Sequence, residues 1–285
     1  MKKRIGILYL CTGPYKAFWD DYYNSFEKNF IRDIDKHYFV YSDSFEGELE
    51  KYIDNPNVTL IHIDAMPWPL ITLLRFKYFL MMEEDLKQFD YLMFTNANII
   101  CNQVVERDEF LPDEEKGEKM SFCQHPGYWK TPIFNVPFDR CKKSNAYIPY
   151  NCGENYVIGA MFAGCTDEFL NMTHILKERI EEDLKHNIIA KWHDESHLNR
   201  YIVGKKNYKL LSPSFCYPVG IDLKVDKKIC AVSKQEKFDV NTFKGMDKYS
   251  NTLSDTFKRI LKRIRREGFA FYIIDKFLRK KIEVI

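Results

Sequence analysis

Apolar and polar positions fall into two alternating rhythms along this chain. Residues 5–10 form a continuous apolar run of strand length, and 37–41, 58–63 and 91–94 read as three further strands. Between them, 18–30 and 68–88 carry apolar side chains at helical spacing, the second through Leu70, Leu73, Leu74, Tyr78 and Met81. Strands alternating with helices predict an α/β domain built on an open, mostly parallel sheet flanked by helices. Two of the expected strands end in unusual sequences, Cys11-Thr12-Gly13-Pro14-Tyr15 and Thr95-Asn96-Ala97-Asn98. Ligands of such sheets bind beyond the carboxyl ends of the strands, so both sequences are expected at one site.

After Asn98 the pattern becomes loop-rich through 106–119 and 125–145, with Pro126, Pro132, Pro137 and Pro149. A compact segment at 156–164 then precedes a helix at 167–185, the motif at 192–201, a short strand at 208–211 and Ser212-Pro213. No internal repeat or low-complexity segment interrupts this order.

Composition narrows the class. With 285 residues, 45% of them hydrophobic, the chain holds one large α/β domain or a domain with an appendage. The 15% aromatic share suits stacking on sugar rings, although most of these rings are expected in the core. Eight cysteines never occur as Cys-x-x-Cys, which fits neither a zinc pattern nor a disulfide framework and points to a reducing cytoplasm. The basic start followed by residues 5–10 faintly imitates a signal peptide but is too short and is read as a buried strand. No segment approaches the ~20 apolar residues of a membrane span.

Charge separates the end of the chain from the rest. Residues 247–285 hold eleven Lys/Arg against five Asp/Glu, so this tail is +6 and the remainder is −4 within an overall +2. Phe257, Ile260, Leu261 and Ile264 recur there at helical spacing among basic residues. Such a helix lies on an anionic membrane or packs on its own domain or a second subunit. Nucleic acid is not an expected partner, because the body is acidic and carries no recognition motif.

The densest chemistry is Trp192-His193-Asp194-Glu195-Ser196-His197-Leu198-Asn199. Glu195 is the leading catalytic candidate, since a carboxylate can stabilise or capture the cationic anomeric carbon of a glycosyl transfer. The plainer reading is a solvated helix start that favours acids at its N-terminus. His193 and His197 also have the spacing of zinc ligands, but a zinc protease needs Glu directly after the first His, where Asp194 stands. Asn96 and Asn98 either make a turn or donate to a pyrophosphate or sugar hydroxyl; neutral amides are poor ligands for Mg²⁺ or Mn²⁺. Arg75 is an unusual charge in an apolar helix face, read as a structural ion pair or as support for the strand end at Asn96. Gly159-Ala160 and Ala163-Gly164 serve either close backbone packing or the floor of a sugar pocket. His125-Pro126-Gly127-Tyr128-Trp129 is a turn or an acceptor-binding loop.

With these residues in place, the sequence resembles glycosyltransferase family 6, which includes the histo-blood-group A and B transferases and bacterial relatives. The matching pieces are Ala146-Tyr147-Ile148-Pro149, Gly153-Glu154-x-Tyr156, the block 158–164, the motif 192–199 with Tyr201, and Leu211-Ser212-Pro213. The resemblance runs from about residue 5 to about residue 238, giving a catalytic domain at 1–245 and a basic helical tail at 246–285. It implies a nucleotide-diphospho-sugar transferase (GT-A) fold and retaining α-1,3 transfer from a UDP-sugar to a β-galactoside. Glu195 matches the catalytic glutamate, Asp194 its sugar-binding neighbour and Trp192 an acceptor-stacking ring. Leu10, Cys11, Thr12 and Tyr15 fall where the family holds uridine, and Arg75 matches a motif arginine. His125 and Tyr128 look like the acceptor loop of enzymes whose acceptors carry fucose.

Departures from the family refine the expectation. Asn96-Ala97-Asn98 stands where the animal enzymes have Asp-x-Asp, as in bacterial members, which implies that no metal cofactor is used. Lys234 matches the lysine at the diphosphate and would take over neutralisation. Phe138-Asp139-Arg140-Cys141 only partly matches the family's Tyr-Glu-Arg-Arg. Ile158-Gly159-Ala160 looks more like the galactose-using B enzyme than the A enzyme, because a methyl at Ala160 crowds an N-acetyl group. The expected donor is therefore UDP-galactose, with UDP-N-acetylgalactosamine as the alternative and a non-catalytic glycan binder as a distant one. The expected setting is bacterial surface-glycan synthesis at the inner membrane face.

Overall fold

The computed structural model describes residues 2–239. In chain order its strands are β1 (Arg4–Leu10), β2 (Asp35–Ser42), β3 (Val58–His62), β4 (Tyr91–Thr95), β5 (Ile99–Cys101), β6 (Met120–Gln124), β7 (Val157–Cys165), β8 (Tyr208–Leu211) and β9 (Ile229–Ala231). Seven of them form one sheet in the order β3-β2-β1-β4-β7-β6-β8, and β5 pairs with β9 in a separate ribbon. Pairs β2–β3, β1–β2, β1–β4 and β6–β8 are parallel, while β7 runs antiparallel to both β4 and β6. The start of β7 consequently lies at the same edge as the carboxyl ends of β1 and β4. This is the mostly parallel, helix-flanked sheet of a GT-A-like fold.

Helices cover both faces, which is why β1 is apolar without alternation. Ile5, Ile7 and Tyr9 pack on one side with Trp19, Tyr22 and Phe26 of α1 (Trp19–Asn29). Leu8 packs on the other side with Phe76, Phe79 and Phe169. Most rings indeed serve the core: Tyr22 stacks on Phe26 at 4.2 Å between centroids and lies 4.5 Å from Tyr9.

The expected continuous helix at 68–88 is instead a broken series: α2 (Leu70–Leu73), α3 (Arg75–Phe79), a 3-10 turn (Leu80–Met82) and α4 (Glu83–Leu86). Leu74 and Leu80 have ψ near zero (−2° and −8°), which ends regular α-hydrogen bonding at each. The break at Leu74 turns Arg75 inward, where its Nε donates to the Thr72 carbonyl at 3.1 Å. After short α5 (Arg107–Phe110) come α6 (Thr166–Lys185) and α7 (His193–Ile202), which pack against each other and on β7.

Strands β5, β6 and β9 are not among the expected elements; β5 and β9, at three residues each, are too short to show a period, and β6 (Met120-Ser121-Phe122-Cys123-Gln124) follows directly on the loop-rich stretch. Gly164 allows β7 to approach β6, since a Cβ there would lie 2.8 Å from the Lys119 carbonyl oxygen. Among the described residues, no helix is long and apolar enough to cross a membrane. The expected basic tail at 246–285, with its membrane contact, lies outside the described residues.

Candidate active site

The edge where β1, β4 and the start of β7 meet opens into a cavity of about 970 Å³. It is lined by Leu10, Thr12, Tyr15, Arg75, Asn96, Asn98, His125, Tyr128, Ile158, Gly159, Ala160, Trp192, Asp194, Glu195 and Lys234. These are the candidates that the sequence singled out, with one exception. Cys11 is fully buried in the core rather than on the cavity wall. Its N–H donates to the Tyr41 carbonyl and its own carbonyl accepts from Ser42 Oγ, so it anchors the loop from behind. Burial pushes its thiol far up, away from reactivity.

Glu195 has both carboxylate oxygens occupied by donors. Tyr156 Oη donates to Oε1 at 2.7 Å, and the Gly159 N–H donates to Oε2 at 2.9 Å. Burial raises its carboxyl from 4.5 to about 7; the Gly159 and Tyr156 hydrogen bonds and the Arg75 charge oppose that rise, while Asp194 adds to it. The result is a carboxylate poised near neutrality and aimed at the cavity.

Arg75 connects the elements around it. Its Nη1 lies 3.1 Å from Asp194 Oδ2 and donates to the Gly159 carbonyl at 3.0 Å, and its Cζ sits 4.5 Å from the centre of the Phe94 ring. Burial holds the Asp194 carboxyl above its usual range, with Arg75 opposing. Arg75 is therefore part of a buried ion pair that also holds the Gly159 backbone at the cavity floor.

Gly159 is required by proximity. A Cβ at this position would stand 3.0 Å from Glu195 Cβ and 3.1 Å from Asp194 Oδ2. Asn199, one turn beyond Glu195, closes the same interface. Its side chain accepts from the Val157 N–H at 2.9 Å and donates to the Val157 carbonyl at 2.8 Å, matching the backbone as a neighbouring strand would. Helix α7 is thus fastened to the start of β7, which places Glu195 beside Gly159.

The two histidines of this motif do not converge. His193 lines the cavity with its ring 4.7 Å from that of Trp68, whereas His197 is fully buried with Nε2 3.6 Å from Asp183 Oδ2. Burial lowers the His197 pKa to about 4. The zinc-hydrolase reading therefore loses its ligand pair.

On the opposite wall, His125 lies 4.8 Å from Tyr128 and 5.6 Å from Tyr156, so this loop reaches Glu195 through a single ring. Burial lowers the His125 pKa to about 4, and its Nδ1 accepts from the Gly127 N–H at 3.1 Å. Trp192, 45% exposed, stands at the rim.

At the strand end, the Asn96 N–H donates to the Ala160 carbonyl. Asn98 Nδ2 donates to the Val232 carbonyl at 2.8 Å, and the Val232 N–H donates back to the Asn98 carbonyl at 2.9 Å. Lys234, two residues on, lies with Nζ 5.2 Å from the Tyr15 ring centre. A divalent ion would meet neutral amides here, a poor donor set for Mg²⁺ or Mn²⁺. Among the described residues, no group of three His, Cys, Asp or Glu is gathered for a metal.

Sequence reasoning gave no function to Tyr156, Thr72, Asp43 or the segment Met66-Pro67-Trp68, all of which touch or support the cavity. Asp43 Oδ1 accepts from the Gly13 N–H at 2.9 Å and shapes the first loop. Its position at the end of β2 was the available signal. Tyr156 carried none beyond its place in a matching motif.

Comparison with known proteins agrees with this geometry. The chain is 35% identical over 233 residues to the O-antigen biosynthesis glycosyltransferase WbnI of Escherichia coli, covering 82% of this chain and 96% of the relative. It is 29% identical over 217 residues to globoside alpha-1,3-N-acetylgalactosaminyltransferase 1 of Gallus gallus, covering 75% of this chain and 61% of that longer protein. A shorter match, 32% identical over 97 residues, joins it to human alpha-1,3-galactosyltransferase 2, covering 34% of this chain and 28% of the relative. The sequence profile of glycosyltransferase family 6 matches residues 1–242, and with relatives of this kind the chain belongs to that family and is a hexosyltransferase.

Proposed function

We propose that the protein moves galactose from UDP-galactose to the 3-OH of a fucosylated β-galactoside in α-1,3 linkage, with retention and without a metal ion. The observation that carries this reading is Glu195, held by Tyr156 and Gly159 at the floor of the cavity. As the bond from the anomeric carbon to the diphosphate oxygen breaks, its electron pair leaves with UDP. The sugar carbon becomes cationic against the Glu195 carboxylate. Retention follows either through a glycosyl–Glu195 ester opened by the acceptor hydroxyl or by attack from the face that UDP leaves, and in both cases the hydroxyl proton passes to the departing UDP phosphate oxygen.

Each wall of the cavity takes part. Leu10, Thr12 and Tyr15 hold the nucleotide; Asn96, Asn98 and Lys234 meet the diphosphate; Arg75 and Asp194 hold the sugar. Trp192, His125 and Tyr128 receive the acceptor. The neutral amides and the lysine together take the place of a divalent cation. The name of the Escherichia coli relative supports a product in O-antigen-like surface glycans, and we place its synthesis at the cytoplasmic face of the inner membrane. A non-catalytic glycan binder does not fit membership in this enzyme family.

The name of the Gallus gallus relative favours a second donor, UDP-N-acetylgalactosamine. Ala160, 8% exposed on the cavity wall, is the residue expected to decide. A matrix of both donors against β-galactosides with and without fucose, run in EDTA, tests the proposal. Galactose transfer to the fucosylated acceptor should dominate, and Ala160→Gly should shift the donor ratio toward N-acetylgalactosamine by ~10-fold or more. N-acetylgalactosamine transfer by the unaltered enzyme as the main reaction would overturn the donor assignment.

The pH profile checks Glu195 independently. With its carboxyl at about 7, transfer efficiency should rise with pH through neutrality as the carboxylate forms. Tyr156→Phe removes a hydrogen bond that favours the ionised form, so the rising limb should move to higher pH. Transfer at pH 7 should then fall about tenfold. An unmoved limb would separate Tyr156 from Glu195.

A further inference from the structure

After β9 the chain turns back over the cavity as a strap, residues 232–238. Several attachments hold it besides the Lys234–Tyr15 contact. Val232 exchanges hydrogen bonds with Asn98, the Lys237 ammonium pairs with Asp21 at 3.0 Å, and the Phe238 ring packs edge-on against Tyr15 at 5.0 Å and against Phe18 at 6.1 Å. The first lies two residues from the cavity-lining Lys234, and the Phe238 contact reaches the cavity-lining Tyr15. At the first, the side-chain amide does what a carboxylate cannot: Asn98 Nδ2 donates to a carbonyl oxygen. Asn98 is 8% exposed, so an aspartate would set its lone pairs against those of Val232 O with little water to screen them.

We propose that Asn98 is a positioning residue for Lys234: its amide latches the strap to the strand end and so fixes the lysine over the diphosphate position. The inference rests on the proposed donor site, and it assigns Asn98 to holding the neutralising lysine rather than only to contacting the ligand. The exchange of aspartate for asparagine at position 98 and the use of a lysine at position 234 then become one structural feature. Either half alone would fail. A carboxylate would push the strap off, and an unlatched strap would leave the lysine wandering.

The test is binding of UDP and of uridine to the intact protein by calorimetry, for Asn98→Ala, Asn98→Asp, Lys234→Met and the Asn98→Ala/Lys234→Met double variant. Lys234→Met and Asn98→Ala should each weaken UDP about tenfold and leave uridine within about twofold. Asn98→Asp should weaken UDP more than Asn98→Ala. The double variant should lose clearly less UDP affinity than the two single losses combined, because the part of the Asn98 effect that runs through the lysine is already gone in Lys234→Met. Hydrogen exchange on Asn98→Ala adds a second reading, in which amides 232–238 exchange faster while those of β1 and β4 do not.

Loss of uridine binding in step with UDP, or fully additive losses in the double variant, would overturn the latch and leave the donor site standing. Slower or unchanged exchange across 232–238 would do the same. A Lys234→Met protein that binds UDP normally would overturn both the inference and the donor reading beneath it.

Discussion

Glu195→Gln is expected to reduce sugar transfer by about 10³-fold or more while UDP affinity stays within about twofold. The amide has the size of the carboxylate, and its oxygen can keep the Gly159 hydrogen bond while Tyr156 turns its hydroxyl to accept. Only the charge proposed to meet the cationic sugar carbon is lost. The same substitution should stabilise the protein. The folded carboxyl is raised from 4.5 to about 7, so the native state holds its proton more tightly than the unfolded chain does. Native stability therefore falls as pH rises from about 4.5 through 7, and at pH 8 the ionised form costs about 3 kcal/mol. Glutamine removes that cost, so the variant should melt higher at pH 8 and converge on the parent near pH 5. Normal turnover in Glu195→Gln would refute the catalytic assignment, and a lower melting temperature at pH 8 would refute the electrostatic account of the residue.

Replacing Arg75 should be the most damaging change to the fold of the site. Arg75→Met leaves Asp194 buried without its cation, a loss of about 3–5 kcal/mol for a pair this enclosed. It also releases the Gly159 and Thr72 carbonyls that the guanidinium holds. Arg75→Lys keeps the charge but not the fork, and one ammonium cannot span Asp194 Oδ2, Gly159 O and Thr72 O as the guanidinium does. It should fold close to normally and still lose about 10²-fold in transfer, because Gly159 and Glu195 would drift relative to the sugar. Melting curves and transfer rates on the two variants separate the terms. Equal activity of Arg75→Lys and the parent would show that charge alone suffices.

How far the chain can be read without coordinates follows from what kind of signal each feature leaves. Strands β1, β2 and β4 carry apolar runs, β3 alternates, and α1 and α6 carry a clear helical period, so the sheet and the edge that carries the cavity were visible. Strands of three residues such as β5 and β9 hold no period to detect. The break in the helix at 68–88 was hidden for another reason: its apolar spacing is helical throughout, and only the backbone at Leu74 and Leu80 departs. At the site, dense polar chemistry marked Asp194, Glu195 and the asparagines. Tyr156 and Asn199 stood in matching motifs, but their roles stayed silent because these lie in contacts with residues tens of positions away. Cys11 failed as a cavity residue for a simple cause. It follows β1, whose side chains alternate between two buried faces, and its own falls on the face that packs with Ile5, Ile7 and Tyr9.

The proposed metal independence rests on the charge balance at Asn96, Asn98 and Lys234, and one assay reaches it directly. Transfer of galactose from UDP-galactose to a fucosylated β-galactoside is followed with the purified enzyme in excess EDTA, then after adding manganese. The account predicts an α-1,3-linked product at the same rate in both conditions. Activity that disappears in EDTA and returns with manganese would contradict it.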